Sequence, residues 1–214
     1  MKQILVFPVM MAIPAAAAAA PAIPFSDRQI AANMAADERV EGRIDGDFNG
    51  DAAIDTAFIT TSRNERTVHV MFAVGKTGGA GHAPAGSFKL PPDTLGPVEL
   101  SVNKDVLVIK DLTGGTTALA ATYRFRGEKA EPRMRLIGLD VSSYSRNYAH
   151  DGSEMSWNLL TGDIITSQLK RAGNDEAAGY DKVGGKRMRR PIAVIHMDDT
   201  PDAEEELIAA TPQR

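Results

Sequence analysis

The chain has 214 residues, 24 Lys and Arg against 28 Asp and Glu, and no cysteine. A net charge of −4 gives no overall basic field of the kind nucleic-acid binders carry, and the missing thiols exclude disulfides, cysteine nucleophiles and thiolate metal sites. A hydrophobic share of 43% is enough for a packed core, which excludes a wholly disordered chain.

Lys2, the uncharged stretch from Ile4 to Ala20 and the small residues of Ala20-Pro21-Ala22 have the layout of a secretory signal peptide. This predicts that residues 1–22 are removed, that the mature chain starts near Ile23, and that the protein is periplasmic or secreted. The competing reading is a membrane span. Pro8, Pro14 and the run Ala15–Ala20 argue against it, because a stable span carries Leu or Ile there. No later segment reaches the ~18 apolar residues a span needs, so the mature chain is expected to have none. Without residues 1–22 the chain loses one Lys and no acid, leaving 23 basic against 28 acidic residues.

In chain order, Ser26 and Gln29 have capping-box spacing, and Phe25 and Ile30 suit a hydrophobic staple, so a short helix opens the mature chain and fades near Arg39. Residues 23–44 read as this helix and a linker. An acidic, Gly-rich loop follows from Asp45 to Asp51, and from there the pattern is strand-like. Strands are expected at 56–61, 67–74, 98–102, 106–111, 116–126, 133–141, 154–159, 164–169 and 191–197, rich in Thr, Val, Ile and aromatic residues. Tyr123 and Phe125 flank Arg124, Met134 and Leu136 flank Arg135, and Met155, Trp157 and Leu159 alternate with Ser156 and Asn158. Each such segment has one dry and one wet face. The segment Gly75–Gly86, with five glycines, reads as a flexible loop, and Lys170–Arg190 as a polar, mobile stretch. Residues 198–214 form an acidic tail with one short helix at 202–209. The fold class that follows is mainly β: antiparallel hairpins forming a sandwich or strongly curved sheet over residues 45–197, with a short N-terminal helix.

One motif carries metal chemistry. Asp47, Asn49, Asp51 and Asp55 stand at positions 1, 3, 5 and 9 of a loop, with the Ala53 carbonyl available at position 7. Calcium takes six to eight oxygens, and carboxylates this close repel one another until a cation joins them. Position 12 is Phe58, not the bidentate Glu of an EF-hand. The segment Gly46-Asp47-Phe48-Asn49-Gly50-Asp51, with Asp55 and then Ala57-Phe58-Ile59, resembles the calcium loop of FG-GAP (VCBS-type) repeats. The resemblance covers about fifteen residues, and in that family the loop leads straight into a strand. It implies calcium bound by Asp47, Asn49, Asp51, Ala53 and Asp55. A single copy implies no propeller, and Ala52 stands where the family usually has glycine. The competing reading is an Asx-rich turn without metal. Residues 135–165 also resemble a segment of exported proteins of Gram-negative bacteria, a likeness that carries no chemistry.

Other constellations fall short of a site. Ser101-Val102-Asn103-Lys104 and Lys76-Thr77-Gly78 match two penicillin-recognition patterns in the wrong order, and Gly75-Lys76-Thr77 lacks the upstream glycine of a phosphate loop, with Val70 in its place. His69, His82, His150 and His196 are scattered, and His69 falls on the expected wet face of a strand. The basic run Lys186–Arg190 suits an anionic surface or a solvated strand lead-in. Tyr144, Tyr148 and Trp157 suit a sugar or peptide surface, although Trp157 shares a dry face with Met155 and Leu159.

Three function classes remain. The first is a non-enzymatic, calcium-stabilised binding or interaction module whose partner is a protein or glycan of the bacterial envelope. The second is an inhibitor or immunity protein that inserts the loop Gly75–Gly86 into an exported enzyme. The third is an envelope polysaccharide hydrolase, which needs two facing carboxyl groups in a pocket.

Overall fold

The structure is a computed structural model that describes residues 24–74, 81–173 and 179–211. The predicted signal peptide, Lys76-Thr77-Gly78 and the last three residues lie outside the described residues. Helix α1 spans Asp27–Ala32. Strands β1 (Arg39–Gly46), β2 (Asp55–Thr61), β3 (Arg66–Val74) and β4 (Gly81–Leu90) follow, then β5 (Glu99–Asn103), β6 (Val106–Gly114), β7 (Thr117–Gly127) and β8 (Met134–Ser145). The remaining elements are β9 (Gly152–Asn158), β10 (Asp163–Ala172), β11 (Gly179–Arg189), β12 (Ile195–His196), a 3₁₀ turn at Met197–Asp199 and α2 (Ala203–Ala210).

Among the described residues every strand pairing is antiparallel, in two sheets. One has the order β1-β2-β3-β4; the other runs β11-β10-β9-β8-β7-β6-β5, with β12 added to β8. The expected mainly-β class and the antiparallel hairpins are therefore observed. The dry faces meet in one core: Ile59, Val68, Val70 and Phe72 of the first sheet join Leu107, Ile109, Phe125, Leu136 and Leu139 of the second. The alternation read from Tyr123/Phe125, Met134/Leu136 and Met155/Trp157/Leu159 matches burial, for all seven are in this core. Helix α2 adds Ala203, Leu207 and Ala210 to it.

Helix α1 forms as its sequence requires. The Ser26 side chain accepts from the Gln29 N–H, and the Gln29 side chain accepts from the Ser26 N–H at 2.9 Å. Phe25 and Ile30 then pack with Phe58 in a small second cluster on the outer face of the first sheet. His69 lies under this cover, its ring 4.9 Å from that of Phe58, so it is half-buried rather than on an open wet face.

Four segments differ from the sequence reading. Residues 39–46 form β1 instead of a linker, held by seven cross-strand partners on β2 with a bulge between Val40 and Gly42. Residues 81–90 form β4 instead of the second half of a loop. Pro84 is tolerated because β4 borders its sheet and bulges between Gly86 and Pro84. A Cβ at Gly86 (φ 142°) would stand 2.8 Å from Met197 Cβ, so glycine is what lets the 3₁₀ turn close over this edge. Residues 179–189 form β11, paired to β10 with a bulge opposite Ser167, instead of a mobile stretch. Of residues 191–197, only Ile195 and His196 pair as strand, with Leu136 and Arg135.

A buried ion cluster joins the two sheets. The Arg66 guanidinium on β3 donates to both Glu41 oxygens of β1 at 2.8 and 2.7 Å, to both Asp111 oxygens of β6 at 3.1 and 2.9 Å, and to the Pro91 carbonyl at 2.8 Å. These five bonds use all five of its N–H donors. The three side chains are 2%, 8% and 2% exposed for Arg66, Glu41 and Asp111. Burial alone would raise the Glu41 carboxyl, but the Arg66 hydrogen bonds, the Val98 N–H and the neighbouring positive charge outweigh it and hold that carboxyl below its ordinary range.

Arg66→Met is expected to lower stability by roughly 3–5 kcal/mol, since it strands two buried carboxylates. The triple replacement Glu41→Leu, Arg66→Met, Asp111→Leu recovers most of that loss. Urea unfolding of the three proteins checks both; an Arg66→Met loss under about 1 kcal/mol, the range of an exposed pair, contradicts the assignment.

Candidate metal centre

The acidic loop connects β1 to β2, and its middle is tied to the body. Phe48 is fully buried in the main core, and Asn49 is buried beside it. The Gly127 N–H donates to the Phe48 carbonyl at 2.7 Å. A Cβ at Gly127 would stand 2.6 Å from the Phe72 ring and 2.7 Å from Asn49 Cβ, so the end of β7 is glycine where the loop presses against it.

The turn itself is organised by carboxylates. Asp47 Oδ1 accepts from the N–H groups of Asn49, Gly50 and Asp51 at 3.2, 2.6 and 3.3 Å, and Oδ2 accepts from Ala52 at 2.9 Å. Asn49 accepts the Asp51 N–H at 3.0 Å and donates its amide to Asp51 Oδ2 at 3.1 Å. Asp51 Oδ1 takes the Ala53 N–H at 2.8 Å. This winding puts Gly50 at φ 75° and Ala52 at φ 67°. The second angle lies in the left-handed region, which costs an alanine about 1–2 kcal/mol.

Asp55 differs from the other acids. It opens β2 and is 0% exposed. Its two oxygens accept from the Phe48 N–H at 2.9 Å and the Ala73 N–H at 3.0 Å. It has no cationic partner among the described residues. Burial pushes its carboxyl up to about 6; the two N–H bonds pull the other way, and the charges of Asp51 and Asp47 add to the rise.

The donor set suits a hard cation: three carboxylates, one amide oxygen and backbone carbonyls such as that of Ala53. The side chains are not gathered on one point, however. Among the described residues no three acidic or imidazole groups come together as a metal-holding cluster, and Asp47 and Asp51 face the N–H groups of the loop instead. One cation that the sequence does not connect with the loop stands over it. A side chain at Gly50 would be 3.5 Å from Lys129 Nζ, which is brought there by the β7–β8 connection.

The other sequence-level features are dispersed. His82 lies in β4 with its ring 5.1 Å from Phe25, His150 meets Thr117 Oγ1 at 2.9 Å, and His196 meets Glu128 at 3.3 Å. Trp157 is in the core with the Arg190 guanidinium stacked 4.9 Å from its ring, apart from Tyr144 and Tyr148, which both pack on Tyr180. The basic run lies mostly within β11, and two of its four cations are ion-paired, Arg187 with Asp163 and Arg190 with Glu206. A cleft of about 710 Å³ contains two acids, Asp198 and Asp202. Each already serves the fold, Asp198 by accepting from Ser87 and Asp202 by capping α2 through the Glu205 N–H at 2.9 Å.

Ala52→Gly is expected to raise stability by about 1 kcal/mol, the left-handed penalty less the added freedom of the unfolded chain; a loss of stability on thermal or urea unfolding contradicts it. Asp55 also gives the fold a pH dependence. Its folded value is raised above the unfolded one, so its contribution is greatest when it is protonated and is lost as pH rises through about 6. In chelator-containing buffer, the melting temperature of the wild type should fall relative to Asp55→Asn between about pH 4 and 7. A gap that moves the other way contradicts this reading.

No protein-family model matches the chain, and no curated protein or solved structure is significantly similar to it.

Proposed function

We propose that this protein is an exported, calcium-stabilised interaction module of the bacterial envelope, with no catalytic role, whose β1–β2 loop binds calcium through Asp47, Asn49, Asp51, Asp55 and the Ala53 carbonyl. The observation that carries the reading is a fully buried Asp55 carboxylate that faces the charges of Asp47 and Asp51 without a cationic partner among the described residues. A divalent cation placed among these groups replaces mutual repulsion by attraction. Asp51 is exposed and turns toward the ion without disturbing the core, whereas Phe48 keeps the loop anchored. The FG-GAP-type pattern of the segment supports the same ion. The loop lies between two strands and against the end of a third, so the ion acts as a staple that stiffens one end of the sandwich for recognition of a protein or glycan. Of the segment Gly75–Gly86, which the alternative inhibitor reading inserts into an exported enzyme, residues 81–86 belong to β4.

Calcium at about a hundred times its dissociation constant would add roughly 2.7 kcal/mol, or about 5–10 °C in melting temperature. Asp47→Asn and Asp55→Asn should each abolish that increment. Lys129→Gln should tighten calcium binding severalfold, as it removes a competing positive charge. Calorimetric melts in calcium and in chelator, with titration calorimetry of the three variants, check this; identical melts of the wild type in both buffers overturn the staple.

A further inference from the structure

The outer face of the first sheet carries a groove of about 430 Å³ between α1, β3, β4 and the β7–β8 connection. That volume lies in the range of small-molecule sites, roughly 300–1,000 Å³. One wall is a stack of rings. Phe25 lies 6.2 Å from Phe58 at 15°, and Phe58 lies 4.9 Å from His69 at 20°. The stack is held in place: His69 Nε2 meets Thr60 Oγ1 at 3.2 Å, and Thr60 donates to Glu38 at 3.1 Å. Met71 extends the apolar surface.

Two opposite charges line the same groove and do not pair with each other. The half-buried Arg133 guanidinium has no hydrogen bond or ion pair among the described residues. Asp198, which also lines the groove, accepts the Ser87 N–H at 2.8 Å and the Ser87 hydroxyl at 3.4 Å, both through Oδ1, and its Oδ2 makes no hydrogen bond among the described residues. Its position is fixed by the Gly86–Met197 approach described above. A groove with a cation, an anion and an aromatic wall is complementary to a ligand that carries an anion, a cation and an apolar body.

We propose that this groove binds a free α-amino acid with an apolar side chain, its carboxylate on Arg133, its ammonium on Asp198 and its side chain along Phe25, Phe58 and Met71. A peptide end presents only one of the two charges and would use half of the site. The groove contains none of the calcium-loop residues, so the two proposals stand or fall separately.

The test uses the mature chain and four probes: L-phenylalanine, L-leucine, 3-phenylpropionate, which lacks the ammonium, and phenethylamine, which lacks the carboxylate. Binding is read by titration calorimetry and by the amide NMR shifts of Gly86 and Ser87. Both amino acids should bind saturably, and each single-charge analogue roughly tenfold more weakly, the worth of one charge-assisted hydrogen bond. Arg133→Gln should bring L-phenylalanine down to the level of phenethylamine with an unchanged melting temperature, and Asp198→Asn should bring it down to that of 3-phenylpropionate. Either of three results overturns the proposal: no saturable binding of the amino acids, equal binding of a single-charge analogue, or variants that leave L-phenylalanine affinity unchanged. If Asp198→Asn loosens the fold, Arg133→Gln alone decides, since the Arg133 guanidinium makes no hydrogen bond or ion pair among the described residues.

Discussion

The two sheets of this protein are locked together by a single guanidinium. Arg66 leaves none of its donors unused and reaches three segments that are distant in sequence: Glu41 on β1, Asp111 on β6 and the Pro91 carbonyl between β4 and β5. Two carboxylates against one cation leave the cluster with a surplus negative charge. The Val98 N–H, which donates to Glu41 at 3.2 Å, and the positive charge of Arg39 act against it. Hydrophobic burial drives the sheets together, as in any sandwich, but it has little directional content. A planar fork that must meet two carboxylates at once does have direction, and it fixes how the first sheet is set against the second.

That constraint explains which parts of the fold are legible in the sequence. Strands β2, β3 and β6 to β10 show either period-two alternation or runs of Val, Ile and Thr, because their inner faces are packed against apolar surface. Strand β1 shows neither. Its sequence Arg39-Val40-Glu41-Gly42-Arg43-Ile44-Asp45-Gly46 is charged and glycine-rich, and the role of Glu41 becomes visible only with its partner on β3. Strand β4 hides behind Pro84 and Gly86, residues that normally mark loops; here one sits at a bulge and the other admits a neighbouring side chain. Strand β11 is exposed along most of its length, so it carries no apolar signal and is defined by pairing to β10 alone.

The acidic loop shows a similar division. Its left-handed Ala52 stands where the resemblance to FG-GAP repeats has glycine, and its Asx-turn chemistry follows from local sequence. The contrast between Asp47, which serves the turn, and Asp55, which is sealed beneath it, does not. That contrast depends on Phe48 entering the core and on the β3 amide of Ala73, both set by the sandwich. The same holds for the outer groove, whose wall is assembled from α1, β2 and β3 and whose charged rim comes from two connections far along the chain.

The edge of β4 is covered by a segment distant in sequence: Ser87 is bonded to Asp198, 111 residues later, and Met197 rests on Gly86. Until that late segment is in place, an extended strand stands with an uncapped border, the kind of surface on which identical chains assemble into fibrils. During synthesis the exposed border persists until residues 197 and 198 have emerged. The closing turn therefore acts as a guard against self-association as well as a packing element, and a chain that lost it would be more prone to aggregate in proportion to its concentration.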